Sequence, residues 1–133
     1  MFDGSLQHRK PLKGIRVLDF CNYLPGPLAS LMLAEAGAEV IKIEPPGGDP
    51  VRKLKVSMDS GESLFAMPNR GKRSVCVDLR SDAGKEFIRL RLANTDVLME
   101  QFRPGAMHRL GLDYAAAKKI HEPIIYCSIT GYN

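Results

Sequence analysis

The sequence has no stretch approaching the roughly 20 consecutive apolar residues that a membrane-spanning helix needs. Its opening residues, MFDGSLQHRKPLKG, are polar and contain no apolar segment of the kind that directs secretion. We therefore expect a cytoplasmic protein without a membrane partner. The net charge of +4 comes from basic residues that are scattered and form no stripe, which favours a small anionic ligand over nucleic acid.

Common catalytic and metal-binding motifs are also absent from the sequence. It contains no GxGxxG, GxxxxGK[ST], GxSxG or HExxH pattern. The three histidines have no carboxylate or nucleophile partner at motif spacing, and we interpret His8 and His121 as surface residues. The three cysteines form no CxxC pair or Cys/His cluster, so we expect no metal site. We predict that Cys21, Cys76 and Cys127 are buried thiols at or beside strands.

Length and composition indicate one globular domain. The chain has 133 residues, of which 44% are hydrophobic and 26% charged, and shows no internal repeat or low-complexity segment. A chain of this length buries about two-thirds of its unfolded surface in a single core. We interpret residues 1–13 as a polar lead-in that precedes the domain.

Apolar strand patterns alternate with helix patterns along the chain and predict an α/β protein with a largely parallel sheet. Strands are expected at residues 14–20, 39–44, 74–79, 96–102 and 123–132, and helices at 26–37, 81–95, 104–112 and 113–121. Residues 45–73 are rich in Pro, Gly and charge and are interpreted as a long loop. The face of the first helix that is predicted to pack on the sheet consists of Leu28, Leu31, Met32 and Ala36.

Ligands of parallel α/β sheets bind beyond the carboxyl ends of the strands, and three motifs fall there or close by. The first, CNYLPGP at 21–27, offers Asn22, Tyr23 and the amino terminus of a helix that could face an anion. Pro27 removes one backbone donor from that helix, so a turn and cap without a ligand is an equal alternative.

Basic residues dominate the other two motifs. NRGKRS at 69–74 holds three cations that suit a phosphate, with solvated loop charges as the alternative. In EQFRPGAMHRLG at 100–111, Arg103 and Arg109 could converge on one phosphate while Phe102 offers an aromatic face. Ordinary helix charges remain the alternative there. From spacing alone, the sequence predicts a ligand-binding α/β domain with basic strand ends.

Four blocks of sequence together resemble one family. They are LKGIRVLDF…GPLASLMLAEAGAEVIKIEPPGGDPVR, NRGKRSVCVDLRSDAGKEFIRL, DVLMEQFRPGAMHRLGLDY and IIYCSITGY. Their order and spacing resemble the amino-terminal part of a family III CoA-transferase, the group that includes formyl-CoA transferase, carnitine CoA-transferase and the α-methylacyl-CoA racemases. The resemblance implies a Rossmann-like fold in which 14–133 form the CoA-binding part of the large domain. It also implies an interlocked dimer whose small domain and carboxyl-terminal part are absent from this chain.

The resemblance further implies a set of residues that contact coenzyme A or acyl-CoA, the substrate of the family. Tyr23 would lie beside the CoA, and Val77 and Arg80 would line the adenosine and phosphate region. The residues implied along the CoA chain and at its phosphates are Gln101, Phe102, Arg103, Arg109 and Leu110, with Arg109 as the main phosphate contact. Some relatives have an arginine where this chain has Pro45, and Arg52 is a candidate to replace it.

No catalytic residue is expected within this chain. The family's transferases use an aspartate, and its racemases a histidine and an aspartate, in the segment that follows SITGY, and the sequence ends at Asn133 before either. The implied activity is either transfer of CoA between carboxylic acids or epimerisation α to the thioester. The motifs FRPGAMHRLGL and YCSITGY favour the second, the racemase activity. The missing part would come from a homodimer or a partner subunit. The alternative is a non-catalytic CoA- or nucleotide-binding or assembly module that needs a separate subunit.

Overall fold

The structure of the chain, a computed structural model, describes residues 10–54 and 64–131. Its strands are β1 (Arg16–Asp19), β2 (Glu39–Glu44), β3 (Arg73–Cys76), β4 (Val97–Glu100) and β5 (Ile125–Ser128). Its helices are α1 (Pro25–Glu35), α2 (Ala66–Asn69), α3 (Asp82–Leu92), α4 (Ala106–Leu110) and α5 (Tyr114–Ile120), with a 3-10 turn at Pro50–Lys53. No helix among the described residues is long and apolar enough to cross a bilayer.

The five strands form one parallel sheet in the order β3-β2-β1-β4-β5. Val17 of β1 pairs with Val40 of β2 on one side and with Val97 of β4 on the other. The predicted α/β, Rossmann-like fold is therefore confirmed. The order of the strands reverses between β1 and β4, and in such sheets the crevice for a ligand opens at the carboxyl ends of these two strands.

Side chains alternate between the two faces of the sheet and build two apolar clusters. On one face, Val17, Val40 and Met99 pack with residues of α1. On the other face, Leu18 and Leu98 pack in a larger cluster with residues of α3, α4 and α5. Helices thus flank both faces, as the fold class requires.

The predicted packing face of α1 is wrong for two of its four residues. Leu28 is 45% exposed and Met32 is 66% exposed. The buried residues of the helix are Gly26, Pro27, Ser30 and Leu31. The reason is a polar contact, since the buried Ser30 hydroxyl donates a hydrogen bond to the buried carboxylate of Asp19 at the end of β1. This contact sets the rotation of the helix, and apolar spacing alone does not reveal it.

The predicted loop at 45–73 contains two short elements that the sequence pattern did not indicate, the 3-10 turn and α2. The Asp49 side chain caps the turn by accepting a hydrogen bond of 2.9 Å from the Val51 backbone N–H. The rest of this loop, at 55–63, lies outside the described residues, as do 1–9 of the lead-in. The other predicted elements are present, mostly with shorter bounds, because terminal turns and strand ends carry weak sequence signals.

The prediction of three buried cysteines holds for one of them. Cys21 is buried, Cys127 is partly exposed and Cys76 is exposed. Cys76 is the last residue of β3, which lies at the edge of the sheet and has no further strand beside it among the described residues. Burial of a thiol at a strand depends on neighbours that the local sequence does not specify.

Gly84 in the first turn of α3 generates a stability prediction. An ideal Cβ at this position would lie 2.1 Å from the backbone oxygen of Asp78, while the Gly84 N–H donates to the capping Ser81 hydroxyl. Alanine normally favours a helix over glycine by about 1 kcal/mol, but the clash reverses that preference here. We expect Gly84→Ala to lower the free energy of unfolding by about 1–3 kcal/mol in urea titrations. The exposed control Glu86→Ala should change it little, and equal effects would contradict the steric argument.

Candidate functional site

Of the clefts at the carboxyl edge of the sheet, two together contain most of the site residues expected from the sequence. The first, which we call the β2–β3 cleft, has a volume of about 370 Å³ and includes Asn22, Pro45, Val77, Arg80, Phe102 and Leu110 in its lining. The second, the β4–β5 cleft, has a volume of about 480 Å³ and includes Pro25, Gln101, Phe102, Arg103 and Pro104. Phe102 lines both clefts, so the two meet at its ring. A further cleft at the opposite edge, beside Arg16 and Glu39, lies away from where such sheets bind ligands.

The structure brings together six of the eight site residues expected from the sequence. Val77, Arg80, Phe102 and Leu110 line the β2–β3 cleft. Gln101, Phe102 and Arg103 line the β4–β5 cleft. Tyr23 and Arg109 line neither cleft.

The β2–β3 cleft combines apolar walls with a small number of polar groups. Val77, Phe102 and Leu110 belong to or pack against the larger apolar cluster. The amide oxygen of Asn22 is buried and has no hydrogen-bond partner among the described residues. A buried acceptor without a donor costs about 1–3 kcal/mol, which marks this position as one where a ligand would supply the donor.

Arg80 lies at the rim of the β2–β3 cleft and contacts Asp78. The guanidinium Nε lies 3.1 Å from the Asp78 carboxylate. Hydrogen bonds from the Arg80 backbone N–H and then from its guanidinium lower the pKa of Asp78. Both side chains reach solvent, so this pair is weak and leaves the remaining guanidinium donors of Arg80 available to a ligand.

Tyr23 occupies a strained turn between two cleft residues. Its φ of 63° is the one positive φ at a non-glycine residue among the described residues. Such a conformation costs on the order of 1–3 kcal/mol and is retained where the surrounding structure enforces it. Tyr23 lies exposed beside Leu24, while Asn22 and Pro25 on either side line the clefts. The strain therefore belongs to the turn that shapes both clefts.

Within the first helical turn of α1, residues 25–28, no backbone N–H is left free for an anion. Pro25 and Pro27 carry no N–H, and Leu28 donates to the carbonyl of Leu24 in the ordinary helical pattern. The remaining N–H, of Gly26, donates to the side-chain oxygen of Gln101 at 3.1 Å. The structure thus supports the turn-and-cap interpretation of CNYLPGP over the anion site.

The three cations of NRGKRS are all paired within the chain. Arg70 pairs with Glu35, and Arg73 pairs with Glu39 at 2.9 Å. Lys72 is buried and lies 3.2 Å from the carboxylate of Asp19. Lys72 is therefore unavailable to a phosphate, while Arg70 and Arg73 form exposed, weak pairs, with Arg73 at the amino end of β3 and away from the ligand edge.

Lys72 belongs to a buried ion network, by which we mean Asp19, Lys42, Asp49 and Lys72. The Lys72 ammonium also donates to two neutral acceptors that are not part of the ion network. They are the Ser30 hydroxyl at 2.7 Å and the Asn69 amide oxygen at 3.0 Å. Burial lowers the pKa of Lys72, and the adjacent Asp19 carboxylate opposes that effect. Every donor of the ammonium is used inside the protein.

Lys42 forms the second half of this network. Its ammonium lies 2.9 Å from the Asp49 carboxylate and donates to the carbonyl of Cys21 at 2.6 Å. Lys72 donates in the same way to the carbonyl of Pro27 at 2.8 Å. The two lysines therefore hold both ends of the turn between β1 and α1. Sequence reasoning missed Lys42, although a lysine inside the apolar strand EVIKIE is a signal that could have been used.

Arg52 is engaged by Glu44 at the end of β2. Two of its nitrogens lie 2.7 Å from the two carboxylate oxygens, and its guanidinium stacks 3.4 Å from the centre of the Phe65 ring. Hydrogen bonds from Arg52, and then from Ser74 and the Asp49 N–H, lower the pKa of Glu44 to about 2, against the effect of burial. Arg52 is thus held by an internal carboxylate beside Pro45.

Arg103 and Arg109 differ from these cations because neither forms an ion pair with any described residue. Both are exposed. Just before them, Glu100 accepts a hydrogen bond of 2.8 Å from the Phe102 N–H and another from the Ser128 hydroxyl of β5. Glu100 thereby fixes the backbone from which Phe102 and Arg103 project. In the described ranges, no group of three or more His, Cys, Asp or Glu side chains is arranged to hold a metal ion.

A family model described as CoA-transferase family III matches residues 12–133. The chain is 45% identical over 127 residues to the probable fatty acyl-CoA transferase Rv3272 of Mycobacterium tuberculosis, covering 92% of this chain and 32% of that protein. It is 42% identical over 125 residues to succinyl-CoA:glutarate CoA-transferase of Mus musculus, covering 92% of this chain and 29% of that protein. The crystal structure of a mutant of Rv3272 superposes with a TM-score of 0.84 at 44% identity, over 92% of this chain and 33% of that chain. The chain therefore spans about a third of the length of these relatives.

Removal of the Lys72 charge generates the first prediction about the network. Lys72→Met leaves the Asp19 carboxylate buried without its partner, which typically costs about 3–5 kcal/mol of unfolding free energy. The matched control Arg70→Met removes an exposed pair with Glu35 and should cost about 0–1 kcal/mol. Adding Asp19→Asn to Lys72→Met should recover part of the loss, because it removes the unpaired charge. Urea titrations followed by circular dichroism measure all three, and equal losses for Lys72→Met and Arg70→Met would contradict the network.

The Glu44–Arg52 pair generates a prediction about pH. The pKa of Glu44 lies near 2 in the folded chain, below its ordinary value of 4.5. Its contribution to stability is therefore fully present above about pH 4.5 and is lost as the pH falls towards 2. We expect Arg52→Met to flatten this part of the profile of unfolding free energy against pH. Neighbouring Lys53→Met, which removes no described ion pair, should leave the slope unchanged, and a steep slope in both variants would argue against the assignment.

Proposed function

Because the chain belongs to CoA-transferase family III, we propose that it binds coenzyme A or acyl-CoA at the carboxyl edge of its sheet. The observation that carries this proposal is the pair of clefts that meet at Phe102, with the unpaired Arg103 and Arg109 on the segment that follows. The whole protein would transfer CoA between carboxylic acids. The names of both relatives above support transfer as the reaction class.

The shape and charge of this edge suit the parts of coenzyme A. The apolar walls of the β2–β3 cleft suit the adenine ring, and the orphaned oxygen of Asn22 could accept a hydrogen bond from an amino group. Guanidinium groups of Arg80, Arg103 and Arg109 suit the phosphates, since a planar fork of donors matches phosphate oxygens. The β4–β5 cleft would then take the extended pantetheine chain towards the thioester.

We propose that residues 14–133 form the CoA-binding portion of a longer large domain and that 1–13 precede it. No residue of this chain is assigned a catalytic role, so the reacting carboxylate would come from the part of the whole protein that lies outside it. A homodimer or a partner subunit that completes the site is part of the same proposal. The prediction of a racemase rests only on the two motifs FRPGAMHRLGL and YCSITGY.

The alternative to an enzyme is a non-catalytic binding or assembly module. In that case, the chain would bind CoA or a nucleotide, or serve in assembly, without catalysing a reaction itself and would need a separate subunit. An assay of CoA transfer by the full protein, from acetyl-CoA or succinyl-CoA to an added carboxylic acid with release of acetate or succinate, separates the two classes. Transfer to an added carboxylic acid supports the enzyme, whereas binding without turnover favours the module.

Arg109 generates the prediction that tests CoA binding. We expect Arg109→Ala to weaken CoA binding by about 1–3 kcal/mol, the scale of a hydrogen bond to a charged group. Titration calorimetry at millimolar CoA measures the change. The matched control is Arg73→Ala. Arg73 pairs with Glu39 at the amino end of β3, so the affinity of this variant for CoA should equal that of the unsubstituted chain.

Two results would count against this assignment. Absence of both heat and a thermal shift on adding CoA to the unsubstituted chain would contradict binding at this edge. Equal affinities of Arg109→Ala and Arg73→Ala would contradict the role of Arg109.

A further inference from the structure

His108 on α4 is paired with Asp113, the residue that caps α5. The ring Nδ1 of His108 lies 2.6 Å from one carboxylate oxygen of Asp113, and the other oxygen accepts a hydrogen bond of 2.9 Å from the Ala116 N–H. An ionised carboxylate can only accept, so Nδ1 carries the hydrogen and donates it. One carboxylate therefore caps α5 and connects it to α4, a pairing that spacing along the sequence did not indicate.

The His108–Asp113 pair spans the turn that ends α4. Gly111 follows the helix with a left-handed backbone, φ 67°, and Gly105 precedes it in the same way, φ 78°. Glycine adopts these conformations without strain but restrains the chain less than other residues do. The helix between the two glycines has five residues, of which Met107 is the buried one. The contact with Asp113 thus restrains the last turn of a short helix that has little other anchorage.

That last turn carries the residue proposed to bind a phosphate. Arg109 directly follows His108, and Leu110, the last residue of α4, lines the β2–β3 cleft. The Arg109 guanidinium lies back along the helix, since an ideal Cβ on Gly105 would be 3.2 Å from its Nη1. Helix ends fray, and a guanidinium matches a phosphate best in a fixed geometry. A contact that holds the adjacent residue therefore limits how far Arg109 moves.

The strength of this contact depends on the charge of the imidazole. An imidazole gains a second N–H proton close to neutral pH, and a charge-assisted hydrogen bond is about twice as strong as a neutral one. Hydrogen bonds from His108 and then from the Ala116 N–H lower the pKa of Asp113, so its carboxylate stays ionised while the imidazole titrates. The contact is consequently stronger at acidic pH than at alkaline pH.

His108 also lines a third cleft at the carboxyl edge, with a volume of about 460 Å³. The other titratable or charged side chains of this cleft are Asp113 and Tyr114 of α5, Glu100 and Arg103 at the end of β4, and Tyr126 of β5. Glu100 is already engaged by the Phe102 N–H and the Ser128 hydroxyl. Arg103 is exposed, so solvent weakens its repulsion of a charged imidazole. Lys119 of α5 acts on Asp113 as well. Asp113 is therefore the group that the charge of His108 meets most directly.

We propose that His108 is a positioning residue for CoA: when protonated, it holds α4 to Asp113 and keeps Arg109 in the orientation that binds a phosphate. This inference rests on the proposed function and deepens it. His108 does not contact the ligand in this arrangement and acts through Arg109. The part of the CoA affinity that depends on His108 should therefore decrease as the pH rises.

Two substitutions of His108 separate the contact from its charge. His108→Gln keeps an N–H that can donate to Asp113 but does not titrate, and His108→Leu removes the donor. Because the His108 side chain is 82% exposed, both variants should fold. The affinity for CoA is measured by titration calorimetry at about pH 5.5 and about pH 8.5, on either side of the titration of an imidazole. The terminal phosphate of CoA also titrates near pH 6, so each variant is compared with the unsubstituted chain at the same pH.

At the acidic pH, we expect His108→Leu to bind CoA about fourfold more weakly and His108→Gln about twofold more weakly, the scale of an exposed ion pair. At the alkaline pH, His108→Leu should bind about twofold more weakly and His108→Gln as well as the unsubstituted chain, because only a neutral hydrogen bond is then at stake. Ratios that are the same at both pH values would overturn the proposal.

Double variants test whether His108 acts through its two partners. In an Arg109→Ala or an Asp113→Asn background, His108→Leu should leave the CoA affinity nearly unchanged, because the positioned group or the contact is already lost. Asparagine preserves the cap of α5, which keeps that helix intact. A loss that persists in either background would identify a direct contact between His108 and the ligand and would overturn the proposal. No CoA binding by the unsubstituted chain overturns the proposed function and this inference with it, whereas binding that neither His108 variant changes overturns this inference alone.

Discussion

Two buried lysines paired with two buried aspartates are the constraint on which the ligand edge of this structure depends. Lys72 joins Asp19 at the end of β1 to the segment before β3, and Lys42 joins β2 to Asp49 in the loop that follows it. Taking four charges out of water is costly, and the arrangement is stable only when each charge meets its partner. The lysines also hold the carbonyls at both ends of the turn between β1 and α1. The turn that shapes both clefts is thus fixed by charges far from solvent.

The same constraint divides the cations of the chain into two groups. Arg52, Arg70, Lys72 and Arg73 have carboxylate partners within the chain, buried ones for Arg52 and Lys72 and exposed ones for Arg70 and Arg73. Arg103 and Arg109 follow β4 and have no described acidic partner. Two unpaired guanidinium groups therefore remain after β4, beside the edge where parallel α/β sheets bind ligands, and such groups suit an anionic ligand.

Hydrogen-bond donors at this edge come from side chains instead of from the helix amino terminus. Dinucleotide-binding proteins use glycine N–H groups at the first turn, whereas two prolines remove most of those donors here. Gln101 takes up the one that remains, and the buried oxygen of Asn22 lacks a donor among the described residues. Under the proposed function, the first turn contributes shape, while the segment after β4 contributes the groups that bind. This division explains how a Rossmann-like sheet can accept a ligand without a glycine-rich loop.

The amino-acid sequence by itself determined the α/β class, the order of the elements, the family and six of the residues that line the clefts. Hydrophobic periodicity, glycine and proline positions and four spaced motifs are local features, and they carry this information along the chain. Only the tertiary structure decided which charges are free. Arg70, Lys72 and Arg73 look as available to a phosphate as Arg103 in the sequence, but their carboxylate partners lie 34 to 53 residues away. The rotation of α1 and the orientation of Gln101 were decided in the same way, because each depends on a hydrogen bond between segments that only folding brings together.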